Sequence, residues 1–428
     1  MEQLYHYLWK TGIRSSGLKD VDGAEIEVLD PGIHNLDSGP DFFNSKLRIN
    51  GVEWVGNIEI HIKASDWYRH GHAVDPAYDN VILHVVGVSD KRVTRSDGSL
   101  IPQVIMTLPE KFFRTYASLS SPADSLRCGE MIQSLPGINR TDWLESLALE
   151  RLQQKAHRVK EINKSIEGDW EQTCFMFLAR GLGFGLNGDP FEMLGKSVPL
   201  KILHHHSDNL FQLEALLFGQ AAMLDATMFL FDEYYQSLCR EYYFLSRKYG
   251  LKPMKPGLWK YARTRPQNFP HRRIAFLAHE NIGGFSLFSN LLEADCDYEK
   301  LLQLFDLKTE GYWTTHYSFD TIESLVPSEL SRASRNLLII NVAAPLLYAY
   351  ASTTSDIRLS EKVLGIMEDL PAENNVIIRH WQSLGFEAKD ASRSQALLHL
   401  KKEYCDKNKC IYCRFGHYFL RQSASRED

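Results

Sequence analysis

The sequence predicts an α+β protein: a small α/β domain over residues 1–120, followed by a larger, mostly α-helical domain over residues 121–428. Three observations predict it. Short β-rich runs crowd the first 110 residues, whereas from about Asn139 onward apolar residues recur at three- and four-residue spacing. A chain of 428 residues exceeds what one ordinary core accommodates, so two are expected. The composition changes at SSPADS (120–125), a short polar, proline-bearing stretch that reads as a linker.

The elements of the first part follow in order. EQLYHYLWK (2–10) consists mostly of helix formers, with Leu4, Leu8 and Trp9 on one face. Glu25–Leu29 reads as a short strand. Phe42–Ile49 and Val52–Ile58 flank Asn50-Gly51, the dipeptide that suits a two-residue hairpin turn. Beyond the turn Ile58, Ile60 and Ile62 alternate with Glu59, His61 and Lys63, which gives the strand one apolar and one ionisable face. Asp66–Tyr78 is a polar, partly helical crossover. VILHVV (81–86) is a continuous apolar run, as expected of a strand buried on both faces. The order is α-β-β-β-α-β.

The second part reads as helices at Trp143–Ile162, Leu213–Leu230, Tyr234–Tyr249, Arg272–Ala278 and Leu337–Tyr350. Breaks fall at 181–191, 252–257 and 265–270, where Gly, Asn and Pro collect. GLGFGL (181–186) follows a helical run instead of a strand, so it reads as a helix end and loop, not a dinucleotide loop.

Gly39-Pro40-Asp41 heads the first hairpin strand, and antiparallel pairing sets Asp41 near Glu59 on its neighbour. Two carboxylates beside a basic group are what a hard divalent cation and an activated water require. This pattern and element order resemble the PD-(D/E)xK nuclease core. The resemblance implies that Asp41 and Glu59 hold Mg2+ (or Mn2+) for hydrolysis of phosphodiester bonds in nucleic acid. The core's lysine, two residues after the second acid, is His61 here, with Lys63 two further along. Either would orient or deprotonate the water. Members often add an acid from the first helix, and Glu2 is the carboxylate available there.

Two other readings stay open. Without the lysine, the domain is a degenerate nuclease fold that only binds nucleic acid or a protein. Alternatively His61, His70 and His72, close to Asp66 and Trp67, bind a transition metal in a cupin-like enzyme. His84 lies within an apolar strand and reads as an interior histidine, and His204–His206 as a surface triplet.

The net charge of −6 does not announce a nucleic-acid binder, so any such contact must be local. Lys91, Arg92 and Arg95 form one basic group. Arg263, Arg265, Arg272 and Arg273, interleaved with Trp259, Tyr261 and Phe269, form another suited to a single-stranded backbone and stacked bases.

Cys405, Cys410 and Cys413 are spaced C-x4-C-x2-C, a spacing that lets a tight turn bite one metal. The fourth ligand is either His417, giving a zinc-like Cys3His set, or the remote Cys128. The second option is similar to RecB-like nucleases that pin an iron-sulfur cluster with one distant and three clustered cysteines. Cys174, Cys239 and Cys296 read as buried cysteines in apolar helices. Seven cysteines in so long a chain argue against a disulfide framework, and with no signal-type apolar core the cytoplasm is expected. LLIINVAAPLLYAYA (337–351) is interrupted by Asn341 and Pro345, so no membrane span is expected.

As a whole the chain resembles an uncharacterised bacterial family, a domain of unknown function. The likeness rests on GPDF (39–42), EIH (59–61), DWYRHGH (66–72), NVILHVV (80–86), RPQNFPHRRIA (265–275) and the late cysteines.

Overall fold

The computed structural model describes residues 2–13, 17–107, 110–120, 128–129, 131–225, 232–262, 264–323 and 326–424. The linker expected at 120–125 lies, from residue 121, outside them, as do residues 226–230 of one expected helix. Two compact units form: Met1–Arg140 with Lys401–Asp428, and Thr141–Leu400. This corrects the expected division at residue 120, chiefly at the far end. The tail was expected to close the helical domain, but the helix Arg414–Ala424 buries Leu420 in the core of the first unit.

The first unit runs α1 (Glu2–Thr11), β1 (Leu18–Lys19), β2 (Glu25–Asp30), β3 (Ile33–His34), β4 (Phe42–Ile49), β5 (Val52–Lys63), α2 (Asp66–Arg69), β6 (Val81–Val88), β7 (Gln103–Ile105) and α3 (Glu110–Ser120). Within it lies the expected α-β-β-β-α-β order. The sheet order is β1-β2-β4-β5-β6-β7, with β3 paired to β4. The hairpin strands β4 and β5 are antiparallel, and Asn50 (φ 47°) and Gly51 (φ 82°) take the two left-handed positions that their turn demands. The pairs β5·β6 and β6·β7 are parallel. A parallel pair needs a crossover of a dozen or more residues, here supplied by α2 and two short 3-10 turns.

Register places the site. Phe42 pairs with Ile58, so Asp41 stands opposite Glu59, while Glu59 pairs with His84 across the parallel junction. Next to this point β4 carries a bulge between Phe42 and Ser45, with Asn44 at φ 56°. Bulges bend a strand and re-aim the side chains beside it. At Gly56 the strands approach so closely that a Cβ would meet Ile82 and stand 2.8 Å from the carbonyl oxygen of Asn80.

One side of the sheet builds the core: Leu4, Leu8 and Trp9 of α1 pack with Phe42, Leu47, Ile58, Ile60, Leu83, Val85 and Phe112, all fully or almost fully buried. Burying such side chains stabilises by roughly 1.5–3 kcal/mol each. A smaller cluster of Trp67, Tyr78, Val81, Val93 and Ile101 accompanies the crossover.

The second unit is helical throughout its large core. Its helices include Trp170–Leu182, Leu210–Gln220, Glu233–Tyr249 and Pro270–His279. The segment Arg332–Thr354 corrects an expectation. Asn341 and Pro345 do not interrupt it: a π-helical stretch, Ile339–Ala343, carries the helix on, and Pro345 sits in the first turn of Ala344–Thr354. The continuous 23-residue helix is long and apolar enough to cross a membrane, yet most of it is buried inside the protein, as in a core helix.

Candidate functional site

The backbone assembles the acidic pair directly. The Asp41 amide donates to Oε2 of Glu59 at 3.2 Å, and Oδ2 of Asp41 accepts from the Ile60 amide at 2.9 Å. Both carboxylates are thus held to adjacent strands at one spot. Glu59 is 5 % exposed. Burial first, then the charge of Asp41, pushes its carboxyl well above the usual carboxylate range. Asp41 is more open, with its side chain 19 % exposed.

Imidazoles surround the pair. His6 approaches Oδ2 of Asp41 through Nε2 at 3.2 Å. Burial would lower its pKa, but the hydrogen bond and the charge of Asp41 hold it above its ordinary value. His72 Nε2 lies 3.3 Å, and His61 Nε2 3.6 Å, from Oε1 of Glu59. His61 Nε2 also meets His70 Nδ1 at 3.1 Å, while its Nδ1 bonds His84 Nε2 at 2.8 Å. Ligand atoms of His61, His70 and His72 all lie within 4.8 Å of one another.

Burial, reinforced by the neighbouring histidines, pushes His61 down to about 2, and burial pushes His84 down to about 3. Both rings are therefore neutral at physiological pH. Neutral imidazole is the form that takes a proton or binds a metal. Tyr78 stacks on His72 at 3.8 Å, and burial, then Glu59, pushes its hydroxyl up to about 12. His70 is exposed and marks the rim.

Asp41, Glu59 and His61 are thus brought together as expected from the sequence. Glu2 is near enough for its charge to act on Glu59, His6 and His72. Lys63 departs from expectation. It is exposed at the end of β5, its amide donates to Asp66 Oδ2, and its charge acts on Asp90. The strand carries it past the pocket, so imidazoles, His61 among them, stand beside the acids in its place.

Sequence reasoning missed His6. It stands four residues after Glu2, hence on the same face of α1, and that spacing was the available signal.

The arginine segment is corrected. Arg272 and Arg273 are 2 % and 3 % exposed. Arg272 donates to Thr309 Oγ1 at 2.8 Å and to the carbonyl oxygens of Trp313 and Pro327. Arg273 bonds Asn268 and lies over the ring of Phe184 at 4.4 Å. Pro270–His279 is a core helix, and these guanidinium groups satisfy interior oxygens and rings instead of facing a phosphate. Arg265 is exposed, and Arg263 lies outside the described residues. His206 is likewise buried, against Gln212 and Tyr249, and is not part of a surface triplet.

At the tail, His417 Nδ1 meets the Tyr7 hydroxyl at 2.6 Å, while Cys128, Cys405, Cys410 and Cys413 act on one another electrostatically.

The family model described as "Protein of unknown function (DUF2851)" matches residues 2–376. That span contains every residue of the carboxylate–imidazole site and ends before the tail cysteines. No curated protein and no solved structure matches the chain.

Proposed function

The chain belongs to the DUF2851 family of unknown function, and from its own residues we propose a divalent-metal-dependent hydrolase that cleaves phosphodiester bonds in nucleic acid. The observation that carries this reading is the convergence of Asp41 and Glu59 from adjacent strands, each fixed by a backbone amide of the other's neighbourhood. A buried carboxyl that resists ionisation beside a second acid is an environment that a cation relieves. The donor set therefore fits an ion: Asp41 and Glu59 would hold Mg2+ or Mn2+, with Glu2 near enough to add charge. Bound there, such an ion lowers the pKa of water and offsets charge on the phosphoryl group.

The remaining roles fall to the chain itself. His61 is neutral and faces Glu59, so its Nε2 is placed to accept a hydrogen bond from the attacking water and orient it. In the tautomer that leaves Nε2 unprotonated, Nδ1–H donates to His84, which fixes the ring. His6 holds Asp41, and His72, backed by Tyr78, holds Glu59. His61 thus stands in for the lysine that the sequence lacks.

The test is cleavage of labelled single- and double-stranded DNA and RNA with Mg2+ or Mn2+. Asp41→Asn and Glu59→Gln should abolish it while circular dichroism stays unchanged. Equal cleavage by these variants would reject the assignment. A second reading rests on the 4.8 Å grouping of His61, His70 and His72, which suits zinc, iron or nickel better than magnesium. Tightly held transition metal that is lost in His70→Ala and His72→Ala, with no magnesium-dependent cleavage, would select it.

A further inference from the structure

We infer that Cys128, Cys405, Cys410 and Cys413 form a four-thiolate site for a thiophilic metal, either one zinc ion or an iron–sulfur cluster, which staples the tail to the first unit. The assignment is independent of the acidic site and of its chemistry.

Cys405 and Cys410 bracket a tight loop in which the Lys409 amide donates to the Tyr404 carbonyl at 2.9 Å and the Asn408 amide to the Cys405 carbonyl at 3.2 Å. Cys410 opens a 3-10 turn that returns the Cys413 amide to its own carbonyl at 3.2 Å. Such a C-x2-C turn aims two sulfurs at one point. The helix Arg414–Ala424 then starts directly, with the His417 amide on the Cys413 carbonyl at 2.8 Å. Its first turn lies so near the cysteine loop that a Cβ at Gly416 would collide with the Cys410 carbonyl.

Cys128 comes from the opposite side of the sequence, 277 residues before Cys405 by numbering (405 − 128). It packs with Cys410, Met131 and Ile411 against the core that holds Phe112 and Leu420. Its charge acts on that of Cys405, while the charges of Cys410 and Cys413 act on both. Four thiols from two distant segments that lie close enough for their charges to meet are placed to share a cation. None of the seven cysteines is in a disulfide.

Cys128 is assigned as the fourth ligand because its charge meets those of the three tail cysteines, while Nδ1 of His417 meets the Tyr7 hydroxyl at 2.6 Å and ties the tail helix to α1. The Tyr7 hydroxyl also lies within reach of the charge of Cys413. Because α1 carries both Tyr7 and His6, a loaded site would anchor the same helix that reaches Asp41. Loading zinc releases four protons, one per thiol, and leaves a complex of net charge −2, with Lys401 placed to offset part of it at Cys405.

The experiment is elemental and sulfide analysis of the full chain purified without oxygen, together with its absorption spectrum. Expected is about one zinc per chain with no visible band, or iron with acid-labile sulfide and a broad band near 400 nm. The metal should be lost in Cys128→Ser and Cys410→Ser, and kept in His417→Ala and Cys174→Ser. Should the first two variants fail to fold, thiol counting on the natural chain decides: four further cysteines should become reactive when a chelator strips the metal. A chain that takes up neither metal on reconstitution, or that keeps it in Cys128→Ser but loses it in His417→Ala, overturns the assignment.

Discussion

Asp41 and Glu59 hold each other across the β4–β5 hairpin: the Asp41 amide donates to Oε2 of Glu59, and the carboxylate of Asp41 accepts from the residue after Glu59. The arrangement follows from register, since pairing of Phe42 with Ile58 leaves Asp41 opposite Glu59. It keeps two acids together in a place where neither charge is well solvated.

Stability of the metal-free chain should fall with rising pH because of Glu59. Its folded pKa lies above its unfolded value of 4.5, so the folded state binds the proton more tightly. That contribution is complete below about pH 4.5 and is lost as pH rises through the raised folded value. Thermal melts from pH 5 to 9 should therefore show a decline of several degrees, on the order of 2–4 °C per kcal/mol. Glu59→Gln, neutral at every pH, should flatten the decline, and so should Mn2+ with the natural chain. An identical slope in Glu59→Gln would contradict this account of the site.

His61 should govern rate without setting the acid limb of the pH profile. Its ring is neutral above about pH 2, so no protonation of His61 occurs across the working range. His61→Ala should lower kcat by roughly 10²-fold, the usual cost of losing the orientation of a reacting group. The remaining acid limb should match that of the natural enzyme. A limb that vanishes in His61→Ala would assign the titration to His61 and refute its neutrality.

The two arginines separate structure from surface. Arg272 bonds three oxygens inside the helical unit, so Arg272→Ala leaves buried acceptors unpaired and should cost about 3–5 kcal/mol. Arg265 is exposed, and Arg265→Ala should stay within about 0.5 kcal/mol. Denaturant unfolding of both variants tests this, and equal stability of the two would remove the buried role.

The hairpin and the apolar–ionisable alternation of β5 were legible in the sequence, because turn chemistry and a period of two are local signals; the bulge that completes the pairing of Asp41 with Glu59 was not. Asn50-Gly51 pairs Ile49 with Val52, a register that by itself would set Asp41 opposite Ile60; the bulge between Phe42 and Ser45 shifts the pairing by one residue and brings Asp41 to Glu59. His6 was signalled only by its four-residue spacing from Glu2, since tertiary packing is what carries α1 to Asp41. The same cause hid the burial of Arg272 and Arg273: their segment is rich in arginine and aromatics, and composition does not distinguish a basic surface from a core helix whose cations bond interior carbonyls. Convergence of Cys128 with the tail depended on a return of the chain after residue 400, which spacing could pose as an alternative but not decide.

Direct titration of Mn2+ into the metal-free chain, read by calorimetry and by the electron-spin signal of the free ion, tests the central claim most closely. The natural chain should bind Mn2+ at the first unit, and Asp41→Asn and Glu59→Gln should each weaken binding at least about 100-fold, since each removes a charged oxygen ligand. Cys128→Ser, if folded, should leave that affinity in place. Undiminished Mn2+ binding in both carboxylate variants would contradict a shared ion between Asp41 and Glu59.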